Sequence, residues 1–117
     1  MTRIHMLVPV CRVWQALAAV AALACMPAAA ATEDVASRMV LGKQVFTQQC
    51  AVCHTLKDAA AEGAVGPVLD ELKPDSARVS KALLDGIGSM PSFKALLSAE
   101  QIAAVAGYVS KASGGEK

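Results

Sequence analysis

Cys50-Ala51-Val52-Cys53-His54 constrains this chain more than any other segment. Two thiols one helical turn apart can each add to a vinyl group on neighbouring pyrrole rings, and the next residue can then present its imidazole beneath an iron; C-x-x-C-H is the attachment pattern of a c-type haem. Three other uses of the same residues fit less well. A disulfide between Cys50 and Cys53 would close so small a loop that it would stabilise little. A thioredoxin-like redox pair wants alternating strands and helices around it, and no strand run is evident. Structural zinc needs four ligands, and beyond residue 31 the chain offers only these two Cys and one His.

That count starts at residue 32 because residues 1–31 read as a cleaved secretory signal peptide. Arg3 and Arg12 precede a run at 13–26 that carries no charge, and Pro27 with four alanines offers Ala28-Ala29-Ala30 or Ala29-Ala30-Ala31 as a cleavage site. The apolar run is short for a membrane span of ~20 residues. Ala22-Leu23-Ala24-Cys25 faintly resembles a lipoprotein site, but Ala22 stands where a larger aliphatic residue is usual, so a lipid anchor at Cys25 is the weaker reading. The expected mature domain is 32–117, exported to the periplasm. About 86 residues make one small domain and exclude a multidomain enzyme. Removing Arg3 and Arg12 from eleven basic residues leaves nine against ten acidic ones, which argues against a nucleic-acid partner.

A domain of that size sits where a core needs help from a staple, metal or cofactor. Beyond residue 31 its aromatic side chains are Phe46, Phe93 and Tyr108 alone. An apolar group supplied from outside would close the deficit, which again favours haem.

With His54 as one iron ligand, a second imidazole is excluded within the chain, leaving Met39, Met90 and lysine amines as candidates. Met39 lies in an apolar stripe with Val35, Gly42 and Phe46 at helical spacing, the pattern of core packing. Met90 sits 36 residues past His54 in Gly86-Ile87-Gly88-Ser89-Met90-Pro91-Ser92-Phe93, whose glycines and proline prevent a helix and let the backbone arch over a flat ligand. Met90 is therefore the expected partner. Thioether opposite imidazole favours Fe(II), raises the potential and fills both axial positions, so the expected role is electron transfer and no enzymatic activity.

The remaining chain reads as helices and loops. Thr32 can cap a helix over 32–49 with Glu33 and Asp34 in its first turn. Gly42 in mid-helix suggests a close helix crossing. Ser98 to Gln101 fits a capping box before the stripe Ile102, Val105, Ala106 and Val109, with Tyr108 beside it. Pairing these two helices across Gly42, flanked by Phe46 and Tyr108, buries both stripes. Between them, 55–68 reads as a loop ending at Gly66-Pro67, where the Pro67 carbonyl can accept from the free nitrogen of His54, or where the proline simply ends the loop. Pro74-Asp75-Ser76 opens a third helix with Ala77, Leu83 and Leu84 on or near its buried side, and 113–117 reads as a frayed tail.

Taken in order, Gly42, Phe46, Cys50 to His54, Gly66-Pro67-Val68-Leu69, Met90-Pro91-Ser92-Phe93, Val105 and Tyr108 resemble the small bacterial class I cytochromes c of the c551, c6 and c553 types. The resemblance covers essentially all of 32–117. It implies an all-α cytochrome c fold, three main helices and loops wrapped around one covalent haem c. It also implies His54 and Met90 as axial ligands, the Pro67 carbonyl supporting His54, and an exposed haem edge for docking. Val68 stands where the family commonly has Asn. The stretch from Cys50 through Leu72-Lys73-Pro74 is also similar to cytochromes paired with periplasmic molybdenum sulfite dehydrogenases. The implied partners are a redox donor and acceptor, such as that dehydrogenase and a terminal oxidase, meeting a mostly apolar rim. Two other functions compete: a dedicated cytochrome subunit of a dehydrogenase complex, and a haem enzyme or gas binder with an open axial position. The gas-binding four-helix class carries its motif near the C-terminus, which speaks against the last.

Overall fold

The computed structural model describes the backbone of residues 29–116 and the side chains of 32–116. The signal peptide, its cleavage site and Cys25 lie outside the described residues. The described residues form four helices, α1 (Ala29–Gln49), α2 (Leu69–Leu72), α3 (Ser76–Asp85) and α4 (Ala99–Ser113), and a two-stranded antiparallel pair, β1 (Thr55–Leu56) and β2 (Ala61–Glu62). The expected all-α architecture with three main helices stands. The hairpin and α2 are additions within and just beyond the expected loop, both too short to leave a periodic signal.

α1 and α4 cross at Gly42. A Cβ on Gly42 would sit 2.5 Å from Cβ of Tyr108 and against the Ala104 carbonyl oxygen, so the two backbones approach as only glycine permits. Phe46 and Tyr108 flank this contact with ring centroids 6.0 Å apart in a tilted arrangement. Val45, Ile102, Val105 and Val109 join them in the core.

The α1 stripe is shorter than expected. Met39 packs against the core, but Val35, about two turns before the crossing, is 53% exposed and lines an open cleft between α1 and α4. Thr32 is not the N-cap, since α1 already includes Ala29; alanines are the strongest helix formers and carry the helix back.

α4 begins as the sequence implies. The Ser98 hydroxyl accepts from Gln101 N–H at 3.2 Å, and Ser98 N–H donates to Gln101 Oε1 at 2.9 Å. Ser113 and Gly115 of the expected frayed tail are buried, contrary to expectation. Gly114 is left-handed (φ 78°) and closes a Schellman motif, with Gly115 N–H donating to the Ser110 carbonyl and Gly114 N–H to that of Lys111. Gly115 then lies against the backbone of Lys73 and Pro74. Asp75 caps α3, its side chain accepting from Arg78 N–H at 2.7 Å. Leu83 is buried on α3, whereas Ala77 and Leu84 are exposed; Val79 and Ala82 share the inward side instead. Positions 79, 82, 83 and 86 follow the i, i+3, i+4, i+7 rule, and 77 and 84 fall off that face.

A polar knot fastens the other side of the crossing. Tyr108 O–H donates to Asp58 Oδ2 at 2.5 Å, and Lys43 Nζ donates to the same oxygen at 3.0 Å and to the Asp58 carbonyl at 2.6 Å. Asp58 sits in the 3-10 turn between β1 and β2, so α1, α4 and the hairpin meet in one carboxylate. The Tyr108 and Lys43 donors hold its carboxyl below the usual range. Burial and the Asp58 bond push the Tyr108 phenol well above its ordinary value.

Gly42→Ala should cost about 2 kcal/mol through overpacking and lower the melting temperature by roughly 10 °C; an unchanged melt would contradict the crossing. Because Asp58 is lowered in the folded state, its contribution to stability is complete above about pH 4 and is lost as pH falls through the folded value. Asp58→Asn should therefore cost about 1 kcal/mol at pH 7 and remove its share of the acid slope. Denaturant melts of both proteins from pH 7 to 2 measure this, and parallel curves would contradict it.

Candidate haem site

α1 does not stop abruptly before the cysteines. Cys50 N–H donates to the Phe46 carbonyl at 2.8 Å, and the Cys50 carbonyl accepts from Cys53 and His54, both at 3.0 Å. The motif is thus wound as one more turn, which sets the two thiols a turn apart. Cys50 is buried and Cys53 partly buried, and no disulfide joins them. For the unattached thiol, burial, with Cys53 adding, pushes Cys50 up to about 11.

The chain then folds back over His54. Val65 and Gly66 N–H both donate to the Cys53 carbonyl, at 3.1 and 2.7 Å. His54 Nδ1 lies 3.0 Å from the Pro67 carbonyl oxygen. A carbonyl can only accept, so Nδ1 carries the proton and Nε2 keeps its lone pair free for a metal. Gly66 covers the ring so closely that a Cβ there would lie 2.7 Å from Nδ1 and closer still to Cε1. Gly63 lies as tightly on the motif backbone, where a Cβ would be 2.5 Å from the Cys53 carbonyl carbon. From sequence Gly66 entered only as part of the Gly66-Pro67 loop end and family segment, without this role, and Gly63 not at all; their nearness to Pro67 and the motif was the available signal.

Met90 comes from a separate segment. Ile87 and Met90 exchange backbone hydrogen bonds at 3.0 and 2.9 Å across Gly88-Ser89. Gly88 has φ 56° while Ser89 stays negative, the pattern of a type II′ turn. No helix forms over 86–93, as the glycines and proline dictate.

Cys50, Cys53, His54, Pro67 and Met90, all the residues singled out from sequence, line one cleft of about 760 Å³. Leu69, Val79, Leu83, Phe93, Val105 and Val109 supply apolar walls. The volume lies within the range of cofactor pockets, and an apolar cleft with a few convergent donors is their usual chemistry. Among the described residues no group of three or more His, Cys, Asp or Glu side chains is placed to hold a metal ion, so this donor set does not suit zinc. It fits a porphyrin held through thiols, imidazole and thioether.

Fold and site together define a c-type cytochrome domain. Residues 37–109 match the family described as cytochrome C oxidase, cbb3-type, subunit III, and the chain belongs to that family. The c-type cytochrome SorU from Sinorhizobium meliloti is similar in structure, with TM-score 0.64 and 51% identity over 68% of this chain and 94% of that one. Cytochrome c6 of Rippkaea orientalis (strain PCC 8801 / RF-1) is 40% identical over 76 residues, 58% of this chain; the match spans 65% of that relative's length. The expected class, a small class I c-type cytochrome, is thereby established, and it implies covalently bound haem c. No helix among the described residues is long and apolar enough to cross a membrane.

Gly66→Ala should push the His54 ring aside and, with His54 as an iron ligand, weaken that bond on the order of tenfold, the scale for outer-shell partners of metal-bound histidines. Absorption and EPR spectra of the ferric protein read this, and unaltered spectra would show that the ring tolerates displacement.

Proposed function

We propose that this chain is an exported electron carrier with one haem c, joined covalently through Cys50 and Cys53 and ligated by His54 and Met90. The observation that carries the reading is the convergence of all four side chains on a single apolar cleft from two distant segments. A haem bound there supplies a reversible one-electron iron couple. The chain does the rest. Pro67 fixes the His54 ring, so Nε2 is presented without reorganisation. Leu69, Leu83, Val105 and Val109 exclude water from the cleft, which lowers the local dielectric. His54 and Met90 would hold the iron between them and leave no open position for substrate or gas, so the chain would carry electrons without enzymatic turnover.

Val65 and Ile87 belong to the cleft and are 75% and 65% exposed at its mouth. This apolar rim suits short-lived docking of a redox donor and acceptor, a small interface of the transient class. In this reading residues 1–31 direct export to the periplasm and are removed, the donor is a periplasmic molybdenum dehydrogenase, and a terminal oxidase stands on the acceptor side.

The family description names an oxidase subunit, which favours a second reading as the permanent cytochrome subunit of a larger redox complex. Stoichiometric co-purification with a larger enzyme distinguishes it from a free carrier.

Met90→Ala should abolish the iron–thioether charge-transfer band of the oxidised protein and lower the potential by on the order of 100 mV, a fraction of the ~0.8 V that axial ligands span. The variant should also bind carbon monoxide when reduced, and the wild type should not. A band that survives the substitution would remove Met90 from the iron.

A further inference from the structure

The last carbonyls of an α-helix have no partner inside it. At the end of α3, Ala82 is served by Gly86 N–H at 2.9 Å, Leu83 by Phe93 N–H at 2.7 Å, and Leu84 by the Ser92 hydroxyl at 2.6 Å. Two of these three donors follow Met90-Pro91 directly. The return limb of the Met90 loop is therefore also the C-terminal cap of α3.

The outgoing limb is held by backbone alone, through the Ile87–Met90 pair and through Gly86. With φ 74°, Gly86 leaves room where a Cβ would lie 2.8 Å from the Met90 carbonyl oxygen. Pro91 has no N–H to contribute. Ser92 is thus the one residue in these cap contacts that acts through its side chain. Its Oγ also accepts from Lys94 N–H at a long 3.4 Å.

We propose that Ser92 is a positioning residue that locks the Met90 loop onto the end of α3 and so sets how readily the Met90 thioether is displaced from the iron. The inference rests on Met90 being the axial ligand. Alanine at 92 would keep the backbone–backbone bonds of the loop and remove only the hydroxyl, with its donation to Leu84 and its long acceptance from Lys94 N–H.

The test uses the intact ferric holoprotein and free imidazole as a competing ligand, followed through loss of the charge-transfer band, with thermal melting recorded in parallel. Ser92→Ala should bind imidazole roughly three- to tenfold more tightly, the factor one net hydrogen bond carries. Ser92→Thr, which keeps the hydroxyl, should stay near wild type. Asp75→Ala removes the cap at the opposite end of the same helix, about 15 Å away. It should lower the melting temperature yet leave imidazole affinity within about twofold, as expected of independent sites. Unchanged affinity in Ser92→Ala, or an equal gain in Asp75→Ala, would overturn the proposal by showing that Ser92 is no more than a helix cap. Met90→Ala separates the layers. If it retains the band, the ligand assignment falls and this inference with it; if it loses the band while Ser92→Ala behaves as wild type, this inference alone fails.

Discussion

The close approach of α1 and α4 at Gly42 is the contact on which the rest of the structure depends. It aligns Phe46 of α1 with Val105 and Val109 of α4 to make the back wall of the cleft. It also fixes where α1 ends, and therefore where the turn carrying Cys50, Cys53 and His54 begins. The knot of Lys43, Asp58 and Tyr108 holds the opposite side of the same crossing, so the cleft wall is braced from behind. A side chain at position 42 would separate the helices and move the thiols together with the wall.

The site is then assembled largely by backbone. The Cys53 carbonyl captures Val65 and Gly66, the Pro67 carbonyl captures His54, and the Met90 hairpin closes on itself. Bare glycines at 63 and 66 let the returning chain lie flat on the motif and on the imidazole. Such a frame holds in place the side chains that the proposed ligation would use, which is what fast electron exchange with little reorganisation requires. The walls between these fixed points are apolar and come from several segments between Phe46 and Val109, as expected where a small domain completes its core around a prosthetic group.

Much of this was legible in the sequence, for physical reasons that differ from part to part. The motif, the capping box at Ser98, the crossing at Gly42 and the pairing of Pro67 with His54 each depend on local chemistry or helical spacing, and each is seen in the structure. What escaped was set by tertiary geometry. Val35 follows the same spacing as Met39 but is exposed, at an open cleft between α1 and α4 that only the packing of the two helices decides. Leu84 is apolar and lies on the outer side of α3, and only the direction of the cleft decides that. The strands at Thr55–Leu56 and Ala61–Glu62 are two residues each, below the length at which alternation can show. The tail looked free because nothing in Gly114-Gly115 reveals that the second glycine docks on Pro74. From sequence Ser92 entered only within the Met90-Pro91-Ser92-Phe93 segment, since its partner is a carbonyl that no sequence pattern marks.

The central claim is that this cleft is built around a haem tethered through both thiols of the motif. Intact-mass analysis of the protein purified from a host with cytochrome maturation machinery, combined with thiol titration under denaturing conditions, tests it most directly. The account predicts a mass equal to the processed chain plus one haem, with neither Cys50 nor Cys53 titrating. A mass equal to the polypeptide alone, with both thiols reactive, would contradict it.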